Sequence, residues 1–255
     1  MANVIAVGGK GGVGKTFVSA ILTKILKDKA KLLSIDADPS LGLTYAFGID
    51  AEQIKTIWDI REALKDGAGR KRLLGDHDPP LKEVIREKVV VKRDGFDFLV
   101  MGRSEGPGCF CSINELLRYA IDSLAKEYEI VIVDCEAGLE QVNRRVLRNI
   151  DNLLLVSDPT VRGIQTVKYL SKIARNLSEK EELSIKVVFN MVEDINSVRR
   201  LAEQLDIPVI GYVPSDRTVK EYDLVGKSLL EFPTSSAAFQ ALLECTKLAF
   251  GYLYS

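Results

Sequence analysis

The sequence predicts an α/β fold, a mainly parallel β-sheet covered by helices on both faces, and three features of the chain point to it. Short unbroken apolar runs rich in β-branched residues recur along the chain, most are followed by apolar residues at helical spacing, and the runs end in Gly, Asp, Asn or Pro. Strands buried on both faces read as continuous apolar runs, because the crossover helices cover both sides of the sheet.

The strands are expected, in order, at Val4–Gly8, Lys31–Asp36, Phe96–Met101, Glu129–Asp134, Asn152–Asp158, Ile185–Asn190 and Pro208–Pro214, with a helical pattern over Lys15–Lys27 after the first. Gly8, Asp36, Gly102, Asp134, Asp158, Asn190 and Pro214 close these runs. Ligands of open parallel sheets gather at the carboxyl ends of the strands, so this edge is the candidate site. The stretch Lys65–Glu83, rich in Gly, Pro and charge, reads as a loop-like excursion, and its Arg70–Arg72 run and His77 read as solvated residues. From Phe239 onward, apolar residues return at helical spacing with Lys247 as the one cation, the pattern of a core-packed closing helix rather than a basic membrane-binding tail.

A chain of 255 residues with 46% hydrophobic content is expected to form a single domain, residues 1–255. Thirty-five basic against 36 acidic side chains leave a net charge of −1, which offers no overall field for nucleic acid or an anionic bilayer, and neither is expected as a partner. A secretory leader pattern and a long uninterrupted apolar stretch are both missing, so a cytoplasmic location is expected. Four unevenly spread cysteines do not make a secreted disulfide framework and fit a reducing compartment.

Two motifs carry chemistry. After the first strand, "GGKGGVGKT" satisfies G-x-x-x-x-G-K-[ST] between a strand and a helix, with Gly9, Lys10, Gly11, Gly12, Val13, Gly14, Lys15, Thr16 and Phe17 as the candidate binding run. Its glycines let successive amides face one concavity, and the helix dipole adds positive potential there, so polyphosphate is the natural occupant. Lys15 can bridge the β and γ phosphates, and the Thr16 hydroxyl can complete the coordination of Mg2+. The second motif, "GPGCFCSINE", sets Cys109 and Cys111 one residue apart behind a turn. A soft metal takes about four ligands, so the pair is a redox couple, ordinary packing, or half of a site completed from elsewhere. Cys135 and Cys245 have no thiol neighbour at ligand spacing and read as buried packing residues.

Over most of its length the chain resembles the deviant phosphate-loop ATPases (deviant Walker A, SIMIBI class, MinD/Mrp type), through "KGGVGKT", "SIDADPS", "IVIVDCEAG", "FNMV" and "YVPSD". That group includes the nitrogenase iron protein, septum-site and partitioning ATPases, the arsenite pump ATPase and nickel-insertion ATPases. The resemblance implies hydrolysis of ATP to ADP and phosphate. It implies that Lys10 reaches across a nucleotide-sandwich homodimer to the partner's phosphates, and that Asp38 positions or activates the attacking water. It also implies that Thr16, Asp36 and Asp134 surround Mg2+, that Gly138 gives hinge freedom, and that Asn190 reads the adenine edge beside the backbone of Pro214, Ser215 and Asp216. In dimeric members the region of Cys109 and Cys111 approaches the two-fold axis, where two chains present four sulfurs suited to Ni2+ or Zn2+. "GCFC" with "DCEAG" looks like the CooC-type accessory ATPases. The implied function is that of a metallochaperone, a homodimer promoted by ATP and metal that helps insert nickel into apo carbon monoxide dehydrogenase. The competing readings are a positioning ATPase acting on membrane or DNA, with "NRRVLR" at Asn143–Arg148 as its basic surface, and a reductase with a bridging iron-sulfur cluster.

Overall fold

The computed structural model describes residues 2–65, 67–75, 79–102, 111–136, 149–180 and 182–251, without the side chains of 74, 111 and 112. Its centre is an eight-stranded sheet in the order β3-β4-β2-β5-β1-β6-β7-β8. The strands are β1 (Asn3–Gly9), β2 (Leu32–Ala37), β3 (Val91–Arg93), β4 (Phe96–Val100), β5 (Ile130–Cys135), β6 (Asn152–Ser157), β7 (Ser184–Val192) and β8 (Val209–Pro214). Every pairing is parallel except that of the edge strand β3. All seven expected strands are present within a residue or two of their expected limits.

Every residue of β2 and of β5 is buried, as strands covered on both faces must be. Alternate side chains feed two cores. Ile5, Val7, Ile130 and Ile132 pack with helix α1 (Lys15–Leu26), with Leu43 of α2 (Gly42–Ala46) and with the closing helix Ala237–Ala249. Val4, Ala6, Val131 and Val133 pack on the opposite face with Ile60 of α3 (Ile57–Lys65), Ile85 of α5 (Leu81–Lys88) and Leu117 of α6 (Cys111–Leu124). The closing helix buries Ala238, Phe239, Leu242 and Cys245, so its apolar face belongs to the core, as its pattern predicts.

Strand order also locates the crevice. From β1 the chain crosses to β2 on one side, whereas β6 pairs with β1 on the other side, so the connections diverge at the carboxyl end of β1. The phosphate loop leaves from that end.

Two features differ from the sequence expectation. Part of Lys65–Glu83 is helical: α4 (Gly67–Leu74) carries Arg70–Arg72 on its exposed side and inserts Leu73 into the same core as Ile60. Strong helix formers and one buried apolar anchor outweigh the glycines there. His77 lies outside the described residues. The strand β3 was not expected; it forms a hairpin with β4 through Asp94 and Gly95, the latter at φ +79°. Asp-Gly between apolar runs is a strong hairpin signal, and Lys92 and Arg93 put charge on the sheet edge.

Replacing Ile132, fully buried on central strand β5, by Ala is expected to cost about 2–5 kcal/mol. Urea unfolding with an unchanged m-value checks this.

Candidate functional site

The loop between β1 and α1 takes its shape from three glycines with positive φ: Gly9 (+151°), Gly12 (+78°) and Gly14 (+87°). Two of them are also pressed by neighbours. A Cβ on Gly9 would lie 2.2 Å from the Val156 carbonyl oxygen, and one on Gly14 would lie 2.3 Å from Asn190 Nδ2. Lys15 is nearly buried, and its Nζ donates to the Lys10 carbonyl at 3.2 Å, which curls the loop back over its own lysine. Gly14 begins α1 without a side-chain cap. The first-turn amides, at Lys15, Thr16 and Phe17, are thereby left to face the concavity, as an anion site requires. Val13, 1% exposed, anchors the loop in the core. Lys10 points to the other rim, with Nζ 3.5 Å from Asp158 Oδ2.

Beneath the loop, strand register brings two carboxylates together. Asp36 on β2 and Asp134 on β5 are direct partners in the parallel ladder, and both side chains are buried. Asp36 Oδ2 accepts from the Thr44 amide at 2.8 Å and hydroxyl at 2.7 Å, and Oδ1 from the Asp38 amide at 3.2 Å. Asp134 Oδ1 accepts from the Ser19 hydroxyl at 2.9 Å. The Thr16 hydroxyl and the Lys15 charge favour its ionised form. Even so, Asp134 Oδ2 is buried and receives no hydrogen bond. Burial pushes the Asp36 pKa up to about 6 against its hydrogen bonds. Burial, with the charge of Asp36, pushes Asp134 up to about 7. An orphaned carboxylate oxygen beside a second desolvated carboxylate and a threonine hydroxyl is a donor set that fits a hard divalent cation such as Mg2+.

Asp38 and Glu136 lie beside this pair. Asp38 stands half-exposed, with Oδ1 accepting from the Ser40 amide at 2.8 Å. Glu136, two residues beyond Asp134, has its pKa raised by burial and by the nearby charge of Asp38, and lowered by Lys15. Gly138 and Asn143–Arg148 lie outside the described residues.

On the opposite side, Asn190 is 6% exposed and its Nδ2 donates to the Val13 carbonyl at 2.9 Å. A register irregularity in β7 between Phe189 and Val192, with Met191 at φ +57°, turns Asn190 towards the loop. Pro214 ends β8, Ser215 donates its amide to the Val192 carbonyl at 3.0 Å, and Asp216 caps the next helix through the Thr218 amide at 2.8 Å. The expected adenine-side residues thus lie next to one another at one end of the crevice.

The cysteine pair falls differently. Cys109 lies outside the described residues, and of Cys111 only the backbone, at the start of α6, is described. Among the described residues no group of three or more His, Cys, Asp or Glu could hold a metal ion. The root of the segment is well defined: Gly102, at φ +89°, lies where a Cβ would come within 2.3 Å of the Thr56 hydroxyl and 2.9 Å of Trp58 Cβ. Cys135 and Cys245 are buried as expected, and burial raises both thiol pKa values, that of Cys245 to about 12. Ser19, Thr44 and Glu136 were not anticipated. Spacing could have found Ser19, one helical turn beyond Lys15, and Glu136, two residues along from Asp134 on the same side of the chain.

Comparison with known proteins agrees with this geometry. Residues 4–229 match the CbiA family, described as the CobQ/CobB/MinD/ParA nucleotide binding domain. An uncharacterized ATP-binding protein of Methanocaldococcus jannaschii is 39% identical over 247 residues, covering 94% of this chain and 96% of that protein. The carbon monoxide dehydrogenase accessory protein CooC of Rhodospirillum rubrum is 31% identical over 254 residues, covering 94% and 96%. The septum site-determining protein MinD of Pyrococcus horikoshii, solved with Mg-ADP, superposes with a TM-score of 0.71 at 18% identity over 99% of this chain and 97% of that one.

Asp134→Asn removes one charge from the desolvated pair. It is expected to raise the melting temperature of the nucleotide-free chain by about 2–4 °C and to abolish magnesium-dependent ATP hydrolysis, as checked by thermal melts and phosphate release. With the loop, the buried carboxylates and the match over residues 4–229 in agreement, the chain belongs to the CobQ/CobB/MinD/ParA nucleotide-binding family and is an ATPase of the MinD/ParA type.

Proposed function

We propose that this ATPase acts as a homodimeric accessory factor that gathers and releases a soft metal ion, Ni2+ or Zn2+, for a carbon monoxide dehydrogenase-type client. The metal is cargo, bound by Cys109 and Cys111 of each of two chains. Two thiols fall short of the four ligands that such a metal takes, and a two-fold axis doubles them. The 31% identity to CooC over nearly the whole chain supports the accessory role.

In this reading Lys15 and the loop amides bind the β and γ phosphates, and Lys10 reaches across the dimer to the phosphate oxygens of the partner's nucleotide. Thr16, Asp36 and Asp134 would hold Mg2+, which supplies charge neutralisation on the phosphates when bound. Asp38 orients the attacking water, and Glu136 borders the same space. Asn190 gives one amide hydrogen to the Val13 carbonyl, and its carbonyl oxygen is an acceptor that suits the exocyclic amine of adenine.

One observation carries the coupling between nucleotide and metal. The Met101 amide donates to the Asp36 carbonyl at 2.8 Å, and the Met101 carbonyl accepts from the Trp58 amide at 2.9 Å. The residue that precedes Gly102, where the cysteine segment begins, is therefore tied to the strand end that bears Asp36. In this reading a change at the carboxylate pair is passed through these hydrogen bonds to the backbone at Met101, next to Gly102.

Coupling demands that metal bind the nucleotide states unequally. Metal affinity, measured by competition with a chromophoric chelator, is expected to differ at least about 5-fold between the ATP and ADP states, and Cys109→Ala with Cys111→Ala is expected to remove the metal while sparing ATP binding. Equal affinities in all states, or full metal retention by the double variant, would contradict the proposal. Binding of the unaltered chain to liposomes or duplex DNA would favour a positioning ATPase instead.

A further inference from the structure

Asp158 follows β6 directly, on the side of β1 away from the carboxylate pair. Its Oδ1 accepts from the Thr160 hydroxyl at 2.9 Å, and its Oδ2 faces Lys10 Nζ at 3.5 Å. Thr160 is the N-cap of the 17-residue helix Val161–Leu177 and accepts from the Gly163 amide at 3.0 Å. Gly163 makes room for this arrangement, because a Cβ there would lie 2.4 Å from Asp158 Oδ1. The carboxylate is thus braced by the first turn of a long helix. Lys10 hangs from a glycine-flanked loop, and its side chain is 42% exposed against 20% for Asp158. The carboxylate is the fixed member of the pair and the ammonium the adjustable one.

The geometry points to Asp158 as a positioning residue for Lys10. We propose that it holds the ammonium at the rim of its own loop and competes for it with the polyphosphate bound by the partner subunit. A separation of 3.5 Å exceeds the roughly 2.7–2.9 Å of a tight charge-assisted hydrogen bond, so the ammonium can be exchanged. Half-exposed pairs of this kind bias their partner by a factor of about 1.5 to 5, enough to tune ATP-driven pairing of two chains without blocking it. The buried Lys15, anchored on the Lys10 carbonyl, does not share this freedom. Asp158 therefore regulates the exposed lysine alone.

The inference rests on Lys10 being a phosphate ligand, and one cycle separates the two ideas. Dimerisation of the full chain driven by ATPγS with Mg2+ is measured by sedimentation for the unaltered protein, Lys10→Ala, Asp158→Asn and the double variant. Lys10→Ala is expected to impair it. Asp158→Asn is expected to tighten it about 1.5- to 5-fold when Lys10 is present, to change it negligibly when Lys10 is absent, and to lose its effect in about 1 M salt. Dimerisation unaffected by Lys10→Ala would sink the phosphate role of Lys10 and the inference with it. A clear Lys10 effect combined with an unchanged or weakened Asp158→Asn arm overturns the inference alone, as does equal tightening in both backgrounds. If Asp158→Asn lowers the melting temperature, Asp158→Ala takes its place in the same cycle.

Discussion

Two carboxylates that cannot both be comfortable are the constraint around which this molecule is organised. The parallel register of β2 and β5 makes Asp36 and Asp134 neighbours, and covering both sheet faces with helices removes the water that would solvate them. Burial raises the proton affinity of both, and the charge of Asp36 raises that of Asp134 further. Asp36 is satisfied from three sides by Thr44 and Asp38, whereas Asp134 keeps one oxygen bare. In the proposed function this asymmetry divides the roles: Asp36 fixes the backbone that follows β2, and Asp134 is the group left for a cation. A core of this kind trades stability for a binding event, as strained functional sites do.

Three strands hold the phosphate loop, and each contributes a different sensor. From β5 comes the carboxylate under Lys15. Past β6, Asp158 pairs with Lys10. From β7, Asn190 fastens the Val13 carbonyl and fills the space that a side chain on Gly14 would need. Phosphate charge, metal and base would therefore be read by elements that leave the sheet edge in different directions. For the proposed coupling the end of β4 matters most, because there the strand-end backbone that bears Asp36 meets Met101 and Gly102, the root of the cysteine segment.

Much of this was legible in the chain itself. Continuous apolar runs ending in polar residues set out all seven parallel strands, because burial on both faces imposes that pattern. The spacing from Gly9 to Thr16 identified the loop, because only a particular placement of glycines lets amides converge. The hairpin at Asp94–Gly95 went unread although its dipeptide is a plain turn signal; the short run before it, Val89 to Val91, has no alternation to mark a strand. Helix α4 was hidden because glycine content masks a single burying leucine. Lys10–Asp158 and Asn190–Val13 are contacts across 148 and 177 residues. Periodicity says which residues reach the sheet edge, but strand order decides which of them meet. Cys109 and the Cys111 side chain lie beyond what the described residues report, and the thiol pair stands on sequence pattern and similarity.

Central to the account is that each chain carries half of a sulfur site which nucleotide brings together with its twin. Native mass spectrometry with metal counting, on protein loaded with ATP or with ADP, tests this directly. The account predicts one metal per pair of chains with ATP bound, and metal-poor single chains with ADP. One metal on each isolated chain, whatever the nucleotide, would contradict it.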